Sequence, residues 1–118
     1  MTVQECYAAM NGDYKEAMGR LMKEERIVKY LTKFLAATDY QQLEDTYAAK
    51  DWEGVFRTSH TLKGVALNLS INKLGASASA VCDAVRPGVA PSVDMEPLMD
   101  EMRADYNNAV SQIKTLLG

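Results

Sequence analysis

The chain has 118 residues and a mass of 13.0 kDa, which is enough for one domain with a single hydrophobic core, and we predict one domain over residues 1–118. Hydrophobic residues make up 47% and charged residues 25%, a composition typical of folded globular proteins and not of disordered or fibrous chains. The net charge of −3 excludes an overall positive field for binding nucleic acid or an anionic membrane.

The residue types that build common cofactor sites are scarce. The chain has one histidine, His60, and two cysteines, Cys6 and Cys82, whereas a structural zinc site needs about four such ligands. No glycine-rich phosphate loop is present, and no apolar run reaches the length of a signal peptide or a membrane helix. We expect a monomeric, soluble, cytoplasmic protein with reduced cysteines, and no metal, cofactor, nucleic acid or membrane.

Apolar residues recur at spacings of three and four along most of the chain, which predicts an all-α fold. A short first helix ends at Asn11-Gly12-Asp13, and Asp13 followed by Glu16 has the capping-box pattern of a second helix start. The next segment is amphipathic, with its apolar face at Ile27, Leu31, Phe34 and Leu35.

Polar residues mark the starts of the following helices. Thr38 or Asp39 can cap a helix that carries Leu43, Tyr47 and Ala48. Asp51 is the natural cap for the segment that runs through His60 towards Asn68.

Ser70 can cap a further helix, which Pro87-Gly88 ends, and residues 87–92 (PGVAPS) form the longest loop signal. The last segment has a seam of apolar residues repeating every seven positions, at Met95, Met102, Ala109 and Leu116. Four substantial helices with short connections predict an up-down four-helix bundle, preceded by one or two short N-terminal helices.

The helix that carries His60 has an unusual surface. A helical projection places its core side opposite His60, at Val55, Leu62, Val65, Ala66 and Leu69. The histidine side mixes cationic, apolar and small residues, including Phe56, Arg57, Lys63, Gly64, Leu67 and Asn68. Glycine in a helix interior costs about 1 kcal/mol relative to alanine, so Gly64 requires a reason.

One interpretation explains this face as a whole. An unprotonated imidazole is a nucleophile at cellular pH. Gly64, one turn after His60, leaves room for a phosphoryl group, and Lys63 and Arg57 place cations beside it. Apolar side chains on the same face would receive a partner protein. The spacing alone leaves open the alternative that His60 is an ordinary exposed residue at the edge of a wide core stripe.

The segment His60-Thr61-Leu62-Lys63-Gly64-Val65-Ala66 resembles the His-x-Leu-Lys-Gly-small-small signature of histidine phosphotransfer (HPt) domains. The flanking sequence agrees with that family over nearly the whole chain, at Gly12-Asp13, Phe34-Leu35, Lys50-Asp51-Trp52, Leu74 and Ala78. The resemblance implies a four-helix bundle that relays phosphoryl groups in two-component signalling.

The resemblance further implies that His60 takes a phosphoryl group from a phospho-aspartate on a receiver domain and gives it to another receiver. Lys63 and Gly64 would bind the phosphoryl group. The chain would be a carrier rather than an enzyme, with Mg²⁺ supplied by the receiver. Its partners would be response-regulator receiver domains, a hybrid sensor histidine kinase, or both, and they would dock on Phe56, Arg57, Leu67 and Asn68.

The chain departs from the family pattern at three positions. The family prefers a small residue at the position of Val65 and often has glycine at that of Ser70. In many relatives a Gln or Glu on the next helix approaches the histidine, and that position falls near Cys82 here. Asp83 and Arg86 are the other candidates for this role.

Two alternative functions stay open at this point. The domain could receive its phosphoryl group directly from the ATP-binding domain of a histidine kinase. It could also be an adaptor bundle that binds a partner through Phe56 and Leu67 without any chemistry. The small size and the initiating Met1 favour a free-standing carrier.

Overall fold

The structure is a computed structural model that describes residues 1–118, and it contains seven α-helices and no β-strand. The helices are α1 (Val3–Ala9), α2 (Tyr14–Leu21), α3 (Glu24–Ala36), α4 (Asp39–Ala48), α5 (Trp52–Asn68), α6 (Asn72–Ala84) and α7 (Glu96–Leu117). The predicted all-α class and the short N-terminal helices are confirmed.

Helices α4 to α7 pack in sequence, with α5 between α4 and α6, and α6 against α7. Helix α3 packs on α7 and α2, and Ala37 and Thr38 connect it to α4. The molecule measures 41 × 25 × 20 Å.

Two of the predicted helix starts are confirmed in detail. The Asp13 carboxylate accepts the backbone N–H of Glu16, and the Asp51 carboxylate accepts that of Gly54. The predicted capping box at α2 is only half formed, because the Glu16 carboxylate accepts a hydrogen bond from the Ser70 hydroxyl at 2.8 Å.

The prediction that Ser70 caps the next helix is wrong, because α6 begins at Asn72 and Ile71 is its N-cap residue. Ser70 has a φ of 57°, a left-handed conformation that favours glycine, which accounts for the glycine that relatives often have here. Its hydroxyl lies between Glu16 and Arg20, accepting from Arg20 Nη1 at 3.0 Å. These long-range contacts hold Ser70 in this conformation.

The N-terminal helices are attached to the C-terminal end of α5. The Tyr7 hydroxyl donates to Leu69 O at 2.8 Å, and Arg20 Nη1 donates to the carbonyl oxygens of Leu67 and Asn68 at 2.8 and 2.9 Å. A helix C-terminus leaves carbonyl groups without partners inside the helix, and Arg20 supplies donors to them. Helices α1 and α2 thus fix the end of the helix that carries His60.

The core is a single cluster that all seven helices enter. Its largest fully buried side chains are Tyr7, Ile27, Leu31, Leu43, Leu62, Ile71, Leu74, Met99, Met102 and Ile113. No helix combines the length and the hydropathy needed to cross a membrane.

An ion pair joins α4 to α7 at the surface of this core. Arg103 binds Glu44 through two hydrogen bonds, from Nε at 2.8 Å and from Nη2 at 2.9 Å. These bonds lower the pKa of the Glu44 carboxyl, even though its partial burial acts in the opposite direction. The Tyr47 hydroxyl donates to Glu96 on the same side, and burial together with that hydrogen bond raises the pKa of Tyr47 to about 12.

Candidate functional site

His60 lies in the middle of α5 and is exposed to solvent. Its neighbours Thr58 and Ser59 are buried, and their hydroxyls donate to the backbone carbonyls of Gly54 at 2.8 Å and Val55 at 2.6 Å. The hydroxyl beside the histidine is thus bonded to the helix backbone and points away from the solvent-facing imidazole. Of residues 58–60, His60 is the one whose side chain faces solvent.

The specific contact of the imidazole is with the ring of Phe56, one helical turn earlier. The two ring centroids are 6.2 Å apart and the planes differ by 21°, an offset stacked arrangement. Phe56 is half-buried and packs against the core, so it forms a fixed wall on one side of His60.

Gly64 lies one turn after His60, and a Cβ atom added to it would meet no heavy atom within 4 Å. No packing contact in the fold therefore requires glycine here. Because Gly64 has no side chain, open space remains on the solvent side of α5, beside the imidazole. Open space is what access of a group to His60 would require, and that role of Gly64 stays a prediction.

The cations predicted beside the histidine are not committed to other partners. Lys63 is half-buried, Arg57 is exposed, and neither takes part in any of the ion pairs of the protein. Both charges are thus available to an anion that approaches His60, since a charged group without a partner loses no existing ion pair on binding.

The remaining residues predicted to dock a partner lie on the same helix face. Asn68 is exposed, and Leu67 keeps 39% of its surface accessible. The Leu67 side chain lies against α6, where a Cβ added to the buried Gly75 would be only 2.9 Å from Leu67 Cγ. Gly75 therefore gives Leu67 the space to lie flat between the two helices while still presenting apolar surface.

The family model of the Hpt domain matches residues 29–114, which is most of the chain. The chain belongs to the Hpt domain family. Hpt domains act in phosphotransfer in two-component phosphorelays, as phosphocarriers without nucleotide sites, and they interact with receiver domains and histidine kinases. Searches of curated proteins and of solved structures gave no significant match.

The matched region of this Hpt domain begins within α3 and ends within α7, so it includes all of α5 and the signature around His60. Helices α1 and α2 lie outside the match, although they bind the end of α5. The family assignment therefore rests on residues of α3 to α7.

Cys82, Asp83 and Arg86, the three candidates for a side chain that approaches His60, have different surroundings in the structure. Cys82 is fully buried beneath the site, and its thiol lies 3.9 Å from Phe56 O. Asp83 forms an ion pair with Arg86 at 3.0 Å. Arg86 reaches the site, because its guanidinium carbon lies 5.3 Å from the centroid of the Phe56 ring.

Sequence reasoning missed a groove of about 450 Å³ beside the predicted docking residues of the Hpt domain. Phe34 and Val65 contribute to its apolar lining, Arg20 and Lys33 contribute two cations, and Asn68 joins it to the face that carries His60. Val65, which the projection placed in the core, is half-buried and forms part of this wall. No local pattern indicates the groove, because its walls come from α2, α3 and α5.

No group of three or more His, Cys, Asp or Glu side chains is arranged to hold a metal ion. Both cysteines are buried free thiols, and burial raises the pKa of Cys6.

Proposed function

We propose that this Hpt domain accepts a phosphoryl group on His60 from the phospho-aspartate of a receiver domain and passes it to a second receiver. One observation supports the proposal above the others. The single histidine of the chain is exposed in the Hpt signature helix, beside the open space over Gly64.

The transfer requires an imidazole nitrogen with a free lone pair. That nitrogen attacks phosphorus, an N–P bond forms, and the P–O bond to the aspartate breaks, so the carboxylate leaves with its electron pair. The second step is the same exchange in reverse, with the carboxylate of the next receiver as the nucleophile. No oxidant, nucleotide or additional reactant is consumed in either direction.

The residues around His60 would bind the negatively charged phosphoryl group that is transferred in this step. Lys63 and Arg57 would bind phosphoryl oxygens through charge-assisted hydrogen bonds. Gly64 would let these oxygens approach the helix. In our proposal the receiver supplies the Mg²⁺ that neutralises the remaining charge, since phosphoryl transfer depends mainly on positioning and electrostatic stabilisation.

The receiver would dock across α5, on Phe56, Leu67 and Asn68. These residues combine apolar surface with a polar edge, as protein interfaces do with their apolar core and polar rim. Their arrangement along one helix face would place the phospho-aspartate opposite His60, so docking itself would orient the reacting atoms.

The experiment that tests the proposal uses a receiver domain carrying a radioactive phospho-aspartate. The protein should take up an acid-labile, alkali-stable label, and His60→Gln should take up none while melting like the parent. Thr61→Ala is the matched control, since Thr61 is exposed on the same helix and its hydroxyl bonds only to the Arg57 carbonyl. A His60→Gln protein that still accepts label would contradict the proposal.

The same assay distinguishes the two other functions. Label that arrives from a histidine kinase and ATP, but from no receiver, would assign the domain to a kinase-fed module. Binding of a partner that is equally tight with His60→Ala, together with no label from any donor, would indicate an adaptor.

A further inference from the structure

We infer that Arg86 is a positioning residue for His60, acting through the ring of Phe56; this inference rests on the proposed function and assigns a residue role within that site. The observation behind it is a row of three groups, two on α5 and one in the turn that follows α6. The Arg86 guanidinium lies over the Phe56 ring at 5.3 Å, and that ring is stacked beside the His60 imidazole at 6.2 Å.

The first contact restrains the phenylalanine. A guanidinium over an aromatic face within about 6 Å is attracted to the negative face of the ring. Arg86 is itself oriented by the Asp83 carboxylate, one helical turn earlier, at 3.0 Å. Phe56 is therefore held from the side by Arg86, in the turn after α6, and from below by the core, which leaves it few alternative rotamers.

The second contact restrains the histidine. An exposed imidazole on a helix has several accessible rotamers, of which only some direct a nitrogen lone pair into the space over Gly64. The Phe56 ring is fixed one turn earlier and is nearly parallel to the imidazole, so it favours one of these His60 rotamers. Fewer unproductive orientations increase the rate of attack, because the reacting atoms must be aligned before transfer.

The neighbouring side chain on α6 does not offer a competing explanation. Cys82 is fully buried under the site, its thiol lies near the Phe56 carbonyl, and a thiol is a weak hydrogen-bond donor. The side chain from the end of α6 that touches the aromatic wall of the site is Arg86. Its other contact is the exposed pair with Asp83, which contributes little to stability.

The test measures His60 directly and needs no docking partner. Phosphoramidate, a small phosphoryl donor, would label the protein by forming the N–P bond to His60 as ammonia leaves. Arg86→Gln should accept label roughly 2- to 5-fold more slowly, which is the size expected for losing an exposed cation–π contact. Arg86→Lys should keep most of the rate, and Arg26→Gln, which removes an exposed unpaired charge on α3, should keep all of it.

A double-mutant cycle with Phe56→Leu tests the route of the effect. If Arg86 acts through the ring, Arg86→Gln has no further effect in the Phe56→Leu background. A slowing that persists unchanged in that background would overturn the inference, because it would mean that Arg86 acts on the phosphoryl group itself. An Arg86→Gln protein that accepts label at the parent rate would overturn it as well.

A second readout separates this inference from the proposed function. Because His60 is the single histidine, its ring protons give unambiguous magnetic resonance signals. Nuclear Overhauser contacts between the two rings should weaken in Arg86→Gln and persist in Arg86→Lys, while the melting temperature stays constant. If the parent protein accepts no phosphoryl group at all, the proposed function fails, and unchanged ring contacts in Arg86→Gln would reject the positioning role independently.

Discussion

Replacing Gly64 with alanine should make the protein more stable and less active at the same time. The added Cβ meets no atom within 4 Å, so no packing penalty offsets the gain in helix propensity. That gain is about 1 kcal/mol for alanine over glycine in a helix interior. For a domain of this size it should raise the melting temperature by roughly 3–6 °C.

The same methyl group occupies the space through which a phosphoryl group would reach His60. We therefore expect slower acceptance from a phosphorylated receiver for Gly64→Ala, and almost none for Gly64→Leu, whose side chain fills more of that space. Gly19→Ala is the matched control, because Gly19 is also helical and also has nothing within 4 Å of an added Cβ. It should gain stability without losing activity.

Melting followed by circular dichroism and a time course of label uptake would be recorded for all three variants. The reasoning is refuted if Gly64→Leu is folded and accepts label as fast as the parent, since the glycine would then have no role in access. A melting temperature of Gly64→Ala below that of the parent would show that the position is not free of packing contacts.

Three further predictions concern the scaffold and the docking face. Glu44→Gln should reduce the free energy of unfolding at pH 7 by about 1–3 kcal/mol, the usual effect of losing hydrogen bonds to a partly buried charge. Because the hydrogen bonds from Arg103 lower the pKa of Glu44, their contribution is complete above the ordinary value of 4.5 and is lost as the pH falls below it. The deficit of Glu44→Gln in urea unfolding should thus shrink between pH 6 and about pH 3, and a constant deficit would contradict this account. Tyr7→Phe should cost about 1–2 kcal/mol in the same unfolding experiment, because its buried hydroxyl donates to a carbonyl at the end of α5; an unchanged midpoint would show that this bond contributes nothing. Gly75→Ala should displace the Leu67 side chain and weaken receiver binding in calorimetry while label uptake from phosphoramidate stays normal, whereas equal receiver affinity would remove Leu67 from the docking face.

The parts of the fold that could be predicted from the sequence are those that depend on neighbours along the chain. The period of apolar residues indicates α5 and its core side, and Asp51 marks the start of that helix because its carboxylate caps a backbone N–H three residues later. Burial of Thr58 and Ser59 was not predicted, because each hydroxyl is satisfied by the carbonyl four residues earlier and so behaves as a nonpolar group towards the core.

The errors of prediction lie where distant segments meet. Ser70 has the sequence signature of a helix cap, yet its hydroxyl forms hydrogen bonds with Glu16 and Arg20. These residues lie 54 and 50 positions earlier in the chain, so no local pattern indicates the contacts. The contact of Arg86 with the aromatic wall of the site depends on how α6 packs beside α5. For the candidate site, the local signature predicts His60 and Gly64, whereas the residues that shape its surroundings could be found only from the assembled bundle.

The central claim is that His60 holds a phosphoryl group between two receivers, and a chase experiment tests it most directly. The protein would be labelled by one phosphorylated receiver, separated from it, and mixed with a second, unlabelled receiver in the presence of Mg²⁺. We expect the label to leave the protein and appear on the aspartate of the second receiver, and His60→Gln to carry none across. Label that stays on the protein, or label that crosses in the His60→Gln variant, would contradict the account.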